Sequence, residues 1–225
     1  MQTAVVTIRP ARREEAGVVA RLIMLAMNYD CCLHFVGEQL PGEAHPSAEM
    51  RLAAFEEAMT SLVAREDSQY SYLNTLVAEV RDGEASLGQK EGSTEMAGKA
   101  TGEVAGACVA YDGGQLHALR RAFVEEMAAR FGRDFSGMDD ETSAGEFYAD
   151  SLAVWPRWRG RGIATALLRA TAGRGRVAGL PCVGLLVDQG NPSAERLYRR
   201  VGFRYVEDAV WGGHPMRRLR LALRG

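Results

Sequence analysis

The sequence has few cysteines, and they follow no pairing pattern. The four are Cys31, Cys32, Cys108 and Cys182, and no two of them form the C-x-x-C spacing of a redox or zinc motif. Adjacent cysteines cannot readily bridge each other. Cys31, Cys32 and His34 are also too few and too closely spaced to predict a metal site. We therefore expect reduced thiols, a cytoplasmic location and no bound metal.

The sequence also lacks a long apolar run and an excess of basic charge. The N-terminal residues turn charged before a signal-length apolar region develops, and Arg21 interrupts the most apolar helical stretch, so no membrane partner is expected. The formal net charge is −2, whereas a nucleic-acid binder needs a basic face, so no nucleic-acid partner is expected. A length of 225 residues with 47% hydrophobic content predicts one domain over residues 1–225.

Acidic residues are absent from residues 157–187. At the start of this stretch, residues 152–168 have the pattern of an apolar strand, a Gly/Arg turn and an apolar helix start. A helix N-terminus offers unpaired N–H groups and partial positive charge to an anion, and Gly160 and Gly162 would let that backbone come close. The turn also carries three basic side chains that can pair with phosphates: Arg157, Arg159 and Arg161. The pattern predicts a site for a phosphate-bearing ligand.

Two motifs refine this prediction. R-x-x-G-x-G spans residues 157–162, and N-x-x-A-x-x-L-Y-x-x-x-G-F spans residues 191–203. A dinucleotide G-x-G-x-x-G would need glycine at Thr165, and no G-K-[ST] occurs for a P-loop. In this order the two motifs resemble those of the GNAT N-acetyltransferase superfamily. The sequence departs from many relatives in having Ala164 in place of a further glycine.

The resemblance implies an α/β fold with a central, mostly antiparallel sheet of about six to seven strands and helices on both faces. One parallel pair, strands 147–154 and 182–187, would splay apart to open an acetyl-CoA cleft. Residue patterns predict further strands over 3–9, 75–81, 104–111, 205–210 and 216–223, and helices over 14–28, 47–66, 116–131, 162–172 and 193–201. Two inserts are expected: a flexible hairpin segment over 82–103, and a helical and acidic segment over 112–145.

The family resemblance also implies which residues bind acetyl-CoA. Tyr198 matches the tyrosine that donates a proton or hydrogen bond to the CoA sulfur, although core packing is the alternative. Backbone N–H groups near Val154 would polarise the acetyl carbonyl. The full set expected at acetyl-CoA is Leu152, Ala153, Val154, Arg157, Arg159, Gly160, Arg161, Gly162, Ile163, Ala164, Thr165, Asn191 and Tyr198.

Acetyl transfer to an amine needs a base, because an amine with a pKa of about 10.4 is protonated at neutral pH. Glu146, Tyr148 and Asp150 share one strand face by alternation, unless the bulge usual in the family interrupts it. We favour Asp150 as the base, with Glu146 as the runner-up and a buried structural carboxylate as the alternative. The acidic residues 134–150 either form a solvated surface or attract a cationic acceptor.

The acceptor site is the least defined part of the prediction. In the family, the segment that joins the first two helices lines this site, and here residues 29–43 are too irregular to predict one long element. By resemblance, the acceptor contacts would be Tyr29, Asp30, His34 and Phe35, with Tyr148 from the strand. Core packing or a solvated loop is the alternative for each.

The expected function is acetyl-CoA-dependent N-acetyltransfer to a primary amine of a small molecule, preferably cationic, by direct transfer in a ternary complex. A protein lysine or N-terminus as acceptor is one alternative, which an open acceptor groove would favour. A non-catalytic acyl-CoA-binding regulatory domain is another, against which Tyr198 and the strand carboxylates argue. A homodimer is left open.

Overall fold

The computed structural model describes residues 5–81 and 102–223. They form one seven-stranded sheet in the order β1-β2-β3-β4-β5-β7-β6. Its strands are β1 Val5–Pro10, β2 Thr75–Arg81, β3 Glu103–Asp112, β4 Phe147–Val154, β5 Cys182–Asp188, β6 Arg204–Trp211 and β7 His214–Ala222. The helices are α1 Ala16–Met27, α2 Tyr29–Val36, α3 Ala48–Ala64, α4 Leu116–Phe131, α5 Ile163–Val177 and α6 Pro192–Val201. Most of the predicted 82–103 insert lies outside the described residues.

The parallel pair of the sheet is β4 with β5, as predicted. It is held together only at its start, where Phe147 pairs with Val183 and Tyr148 with Gly184; all the other strand pairs are antiparallel. Gly184 is required there, because a Cβ atom would collide with the carboxyl group of Glu146. Beyond Tyr148 the two strands separate, which opens a cleft between them.

Helices cover both faces of the sheet, and each face has its own core. On one face α1 to α4 bury side chains such as Val19, Phe55 and Phe123. On the other face α5 packs Leu167 and Leu168 against the strands, beside Phe203 that follows α6. The cleft between β4 and β5 therefore lies between two separately packed cores, one on each face of the sheet.

Two helices differ from the sequence prediction. Residues 29–36 form α2, where we expected irregular structure, because Asn28 adopts a φ of 69° and its side-chain oxygen accepts a hydrogen bond from Cys31 N at 2.9 Å. Helix α5 continues to Val177, beyond the predicted end at residue 172. Gly175 allows this, because a Cβ atom there would lie 2.7 Å from Leu223 and 3.1 Å from Phe147.

Within the described residues, no single helix is long and apolar enough to cross a membrane. The pair Arg13–Met27 and Tyr29–Val36 passes by length and composition together, but it is bent by 104° at the break.

Candidate active site

The N-terminus of α5 has the geometry of an anion-binding site. Gly160 and Gly162 have φ values of 76° and 78°, and apart from their chain neighbours no atom of the described residues lies within 4 Å of a Cβ atom built at either position. The first helical hydrogen bond runs from Ala166 N to Gly162 O, so the three preceding N–H groups have no intrahelical acceptor. Within the part of the chain that the structure describes, no side chain caps them. The turn thus presents open backbone donors to solvent.

The three arginines of this turn have different partners. Arg157 pairs with the exposed Glu103, and Arg161 lies over the ring of Trp158 at 4.7 Å. Arg159 donates from Nε to Val154 O at 3.1 Å. The arginines therefore hold the turn against its surroundings while they contribute positive charge to it.

On α6, the motif residue Asn191 caps the helix and Tyr198 faces the sheet. The side-chain oxygen of Asn191 accepts a hydrogen bond from Ala194 N at 3.1 Å. The Tyr198 ring packs 5.8 Å from Phe203. Burial, and secondarily the nearby Cys108 thiol, raise the pKa of Tyr198 well above its ordinary value, so its hydroxyl stays protonated and able to donate. Cys108 is paired with Leu152 of β4, beyond the point where β4 and β5 separate.

Asp150 lies at a bulge in β4. Ser151 pairs with Val109 and Ala149 pairs with Ala110, which leaves Asp150 as the extra residue between them. Tyr148 belongs to the core under α1 to α4, as does Ala153, so the alternation of side chains reverses across the bulge. Asp150 thus projects toward the α1–α4 side, near the opening of the cleft.

The Asp150 carboxyl group accepts three hydrogen bonds. They come from Tyr111 OH at 3.0 Å and Gln69 Nε2 at 3.3 Å, both to Oδ2, and from Ser151 Oγ at 2.8 Å to Oδ1. The donors lower the pKa of Asp150, but burial of the carboxyl group outweighs them, and the net effect is a raised pKa. A carboxylate with a raised pKa is a stronger base than an exposed one.

Glu141 is a second carboxylate in the same cluster, 5% exposed. It pairs with Arg120 and accepts hydrogen bonds from Trp211 Nε1 at 3.2 Å and Tyr111 OH at 3.4 Å. Burial and the charge of Asp150 raise the pKa of Glu141 to about 7. We call Gln69, Tyr70, Tyr111, Glu141, Tyr148, Asp150 and Trp211 the acidic cluster.

Comparison with known proteins supports the resemblance seen in the motifs. A sequence model described as the acetyltransferase (GNAT) family matches residues 57–203, which is more than half of the chain. The chain belongs to the GNAT acetyltransferase family.

Two relatives have more specific names. A mycothiol acetyltransferase of Nocardiopsis dassonvillei is 43% identical over 78 residues, covering 35% of this chain and 22% of that protein. A mycothiol acetyltransferase of Thermobifida fusca is 37% identical over 86 residues, covering 38% and 26%. The GNAT chain thus spans only about a quarter of the length of these relatives.

Solved structures resemble the whole described fold. One described as an acetyltransferase is 27% identical, with a TM-score of 0.66, and covers 97% of this chain and 100% of that one. An N-acetyltransferase from Staphylococcus aureus Mu50 has a TM-score of 0.64 at 24% identity, covering 96% and 100%. The second likeness concerns the fold alone.

The residues predicted from the first helical connection do not form one site in this GNAT structure. Tyr29, Asp30 and His34 are exposed on α2. Phe35 is buried and stacks on Phe55 with ring centroids 5.8 Å apart. The α2 side chain that approaches the acidic cluster is Cys31, which contributes to the raised pKa of Tyr70.

Glu146, the runner-up base, is fully engaged in the GNAT fold. It is 1% exposed and pairs with Arg218 at 3.0 Å and Arg220 at 2.8 Å. Thr142 Oγ1 donates to it at 2.8 Å. A buried carboxylate with these partners is what we expect of a structural residue, which was the alternative to a catalytic base.

Sequence reasoning missed five members of the acidic cluster: Gln69, Tyr70, Tyr111, Glu141 and Trp211. Gln69 and Tyr70 lie in the connection before β2, where no motif marks them. Glu141 was grouped with the acidic surface residues, although Arg120 sits on the buried side of the amphipathic α4. Trp211 ends β6, and only the folded hairpin brings it to Glu141.

Proposed function

We propose that this enzyme transfers the acetyl group of acetyl-CoA to a primary amine of a small cationic molecule. The observation that carries the proposal is the pair of carboxylates formed by the buried Glu141 and the half-buried Asp150, linked by the hydroxyl of Tyr111 beside the β4–β5 cleft. Such a pair suits an ammonium group, which brings both the positive charge that stabilises it and the proton that the reaction removes.

The aromatic members of the acidic cluster favour the same ligand. Tyr70, Tyr111 and Tyr148 are buried, and Trp211 is half-buried at the tip of the β6–β7 hairpin. Aromatic faces attract cations, by about 0.5 to 2 kcal/mol each depending on desolvation. Arg120 neutralises part of the negative charge through Glu141, which leaves Asp150 as the carboxylate available to the acceptor.

The acetyl donor, a substrate of the reaction, fits the other side of the sheet. The open N–H groups of α5 would bind its pyrophosphate. On the edge that faces β5, β4 has no strand pairing beyond Tyr148 among the described residues, so the backbone groups of that edge could bind the pantetheine arm. We assign the donor to residues 152–165, with Tyr198 on α6 beside them.

In the proposed reaction, Asp150 takes one proton from the ammonium group. The neutral nitrogen then bonds to the acetyl carbonyl carbon, and the bond from that carbon to sulfur breaks. Tyr198 donates a hydrogen bond or its proton to the departing sulfur. The nitrogen loses its second proton, which accounts for the proton that the CoA thiol gains. The products are the N-acetylated amine, CoA and one released proton.

The state of the cysteines supports direct transfer over an acetylated enzyme. Burial raises the pKa of Cys31 and Cys108 to about 11 each and that of Cys32 to about 12. It also raises the pKa of Cys182. Since the thiolate is the nucleophile, none of the four is activated at neutral pH.

The covering of the acidic cluster favours a small acceptor over a protein. Trp211 donates to Glu141 and Gly212 N donates to Asp139 Oδ2 at 3.2 Å, so the β6–β7 hairpin closes one side. The segment after α4 is fixed by Arg120, which donates to the backbone oxygens of Met138 and Asp139. The relatives' names likewise refer to a small molecule, mycothiol, rather than to a protein.

The test is a panel of amines, amino acids, polyamines and aminoglycosides, assayed with acetyl-CoA for release of free CoA. We expect turnover with compact cationic primary amines. When both substrates are varied, double-reciprocal plots of the initial rate should give intersecting lines. Turnover confined to protein or peptide acceptors would contradict the small-molecule assignment. Parallel lines in the double-reciprocal plots would contradict direct transfer.

A further inference from the structure

Gln69 carries an unsatisfied hydrogen-bond acceptor next to the proposed base. Its side-chain oxygen Oε1 is buried and has no hydrogen-bond partner within residues 5–81 and 102–223. Two other buried side-chain atoms of the described residues also have no hydrogen-bond partner, and both are donors: Nε of Arg51 and Nε of Arg120. Gln69 Oε1 is thus the one acceptor among the three. A buried acceptor without a partner costs about 1 to 3 kcal/mol, which calls for a physical reason.

The rest of Gln69 is tightly fixed. Its backbone N–H donates to Leu119 O at 3.2 Å, and its backbone oxygen accepts from Asn74 Nδ2 at 3.3 Å. The neighbouring peptide groups are held too, because Asn74 Nδ2 also reaches Ser68 O at 3.1 Å and Tyr70 N donates to Ser68 Oγ at 3.1 Å. The residue is 2% exposed. The free acceptor therefore belongs to a buried side chain whose backbone is held in place by these hydrogen bonds.

The amide of Gln69 points at the proposed base. Nε2 donates to Asp150 Oδ2 at 3.3 Å, and Oε1 is bonded to the same carbon as Nε2. The terminal torsion of glutamine is soft, so the amide can turn its oxygen toward a donor bound at Asp150. That turn breaks no hydrogen bond at Oε1, because Oε1 makes none among the described residues. It gives up the contact from Nε2 to Asp150 Oδ2 in exchange for a hydrogen bond from the bound donor to Oε1.

We propose that Gln69 binds the acceptor amine together with Asp150 and makes the enzyme selective for primary amines. The inference rests on the proposed amine acetylation and assigns its preference for primary amines to a particular residue. A neutral primary amine that directs its lone pair at the acetyl carbon keeps two N–H groups. Asp150 and Gln69 Oε1 offer one acceptor to each of them.

Other nucleophiles cannot satisfy both oxygens. A secondary amine in the same pose places carbon where one N–H would be, and an alcohol has a single hydrogen. Either would leave Gln69 Oε1 buried without a partner, and unpaired buried polar groups are the strongest source of discrimination between similar substrates.

The experiment compares three matched pairs of probes: benzylamine with N-methylbenzylamine, tyramine with N-methyltyramine, and glycinamide with sarcosinamide. We expect the wild type to prefer the primary amine of a pair by about tenfold or more in kcat/KM. Gln69→Met keeps the length and removes both polar ends. It should lower kcat/KM for the primary amine by roughly ten- to a hundredfold and bring the ratio within a pair close to one.

Ser151→Ala is the matched control, because it also removes one donor to Asp150 but leaves Gln69 in place. It should change kcat/KM for both members of a pair by the same factor. If Gln69 only orients Asp150, then Gln69→Met will behave like Ser151→Ala, and the inference is overturned. A thermal melt establishes whether Gln69→Met folds, and Gln69→Leu replaces it if it does not.

The failure of this inference is distinguishable from that of the proposed function. A wild type that acetylates primary and N-methylated probes equally overturns the role of Gln69 but leaves amine acetylation standing. A wild type that releases CoA with none of the six probes and with no amine in the panel overturns both.

Discussion

The hydroxyl oxygen of Tyr111 lies 3.0 Å from Oδ2 of Asp150. It also lies 3.4 Å from Oε1 of Glu141, yet a phenol has only one hydrogen to donate. The two carboxyl groups therefore compete for it, and each charge disfavours ionisation of the other. We infer that the pair retains one proton at pH values at which exposed carboxyl groups have lost theirs.

The first prediction concerns stability and pH. The pKa of Glu141 is about 7 in the folded state against an ordinary value of 4.5, so the folded state holds a proton that the unfolded state has lost. The free energy of unfolding should therefore fall as pH rises from about 4.5 to about 7. In Glu141→Gln the difference between about pH 5 and about pH 7.5 should shrink by about 1 to 3 kcal/mol.

Urea denaturation at the two pH values measures this difference. Glu57→Gln, whose side chain is 77% exposed on α3, is the control and should keep the wild-type difference. An unchanged difference in Glu141→Gln would show that this carboxyl is ionised in the folded protein.

The second prediction tests the base. Asp150→Asn keeps the shape but removes charge and basicity, and we expect kcat/KM to fall by about a hundredfold or more. Because burial raises the pKa of Asp150, wild-type activity should decline as pH falls through that raised value, and the variant should lose this limb. Glu146→Gln should cost stability instead, since it breaks the ion pairs that a buried carboxylate makes with Arg218 and Arg220. A larger loss of kcat in Glu146→Gln than in Asp150→Asn would reverse the assignment.

The third prediction concerns the leaving group. Tyr198→Phe removes a hydroxyl that burial keeps protonated, and kcat should drop by roughly ten- to a thousandfold while the Kd of acetyl-CoA stays nearly constant. Single-turnover kinetics and calorimetry measure the two quantities. Tyr205→Phe, at a side chain that is 47% exposed on β6, should leave both unaltered. Full activity in Tyr198→Phe when chemistry limits turnover would remove Tyr198 from the mechanism.

The fourth prediction concerns the donor site and uses two glycines at opposite ends of α5. Gly162 and Gly179 have φ values of 78° and 72°, and both have open space at the Cβ position. Valine at either position should destabilise the fold to a similar degree, by about 1 to 2 kcal/mol. Only Gly162→Val should weaken CoA binding, by about tenfold or more, because its side chain blocks approach to the helix N-terminus. Equal CoA affinities in the two variants, measured by calorimetry, would move the donor site elsewhere.

The sequence predicted those parts of the molecule whose signals are local. Helix α4 and strands β2 and β4 have the predicted bounds, because each is a largely apolar stretch between clear breaks. The Gly/Arg turn was predicted for a similar reason, since Gly160, Gly162 and the helix start are adjacent in the chain. The positive φ values at both glycines agree with that reading.

The acidic cluster could not be predicted in the same way, because long-range contacts assemble it. Gln69 and Asp150 are 81 residues apart, and Glu141 and Trp211 are 70 apart. An acidic residue in a charged stretch usually faces solvent, and nothing local distinguishes Glu141 from its exposed neighbour Asp139. The burial of Glu141 depends on Arg120 and on a hairpin that follows it in the chain.

The position of β7 in the sheet has a consequence for synthesis. This strand follows β6 in the chain yet lies between β5 and β6, and it carries Arg218 and Arg220, the partners of Glu146. While the ribosome has released the chain only as far as β6, that strand has no neighbour and Glu146 is a buried charge without its counterions. Domains generally fold from the N-terminus as they emerge, but here the partners of Glu146 and the hairpin that covers Glu141 can be in place only after translation has passed residue 222. A nascent chain of this enzyme should therefore acquire its activity in a single late step.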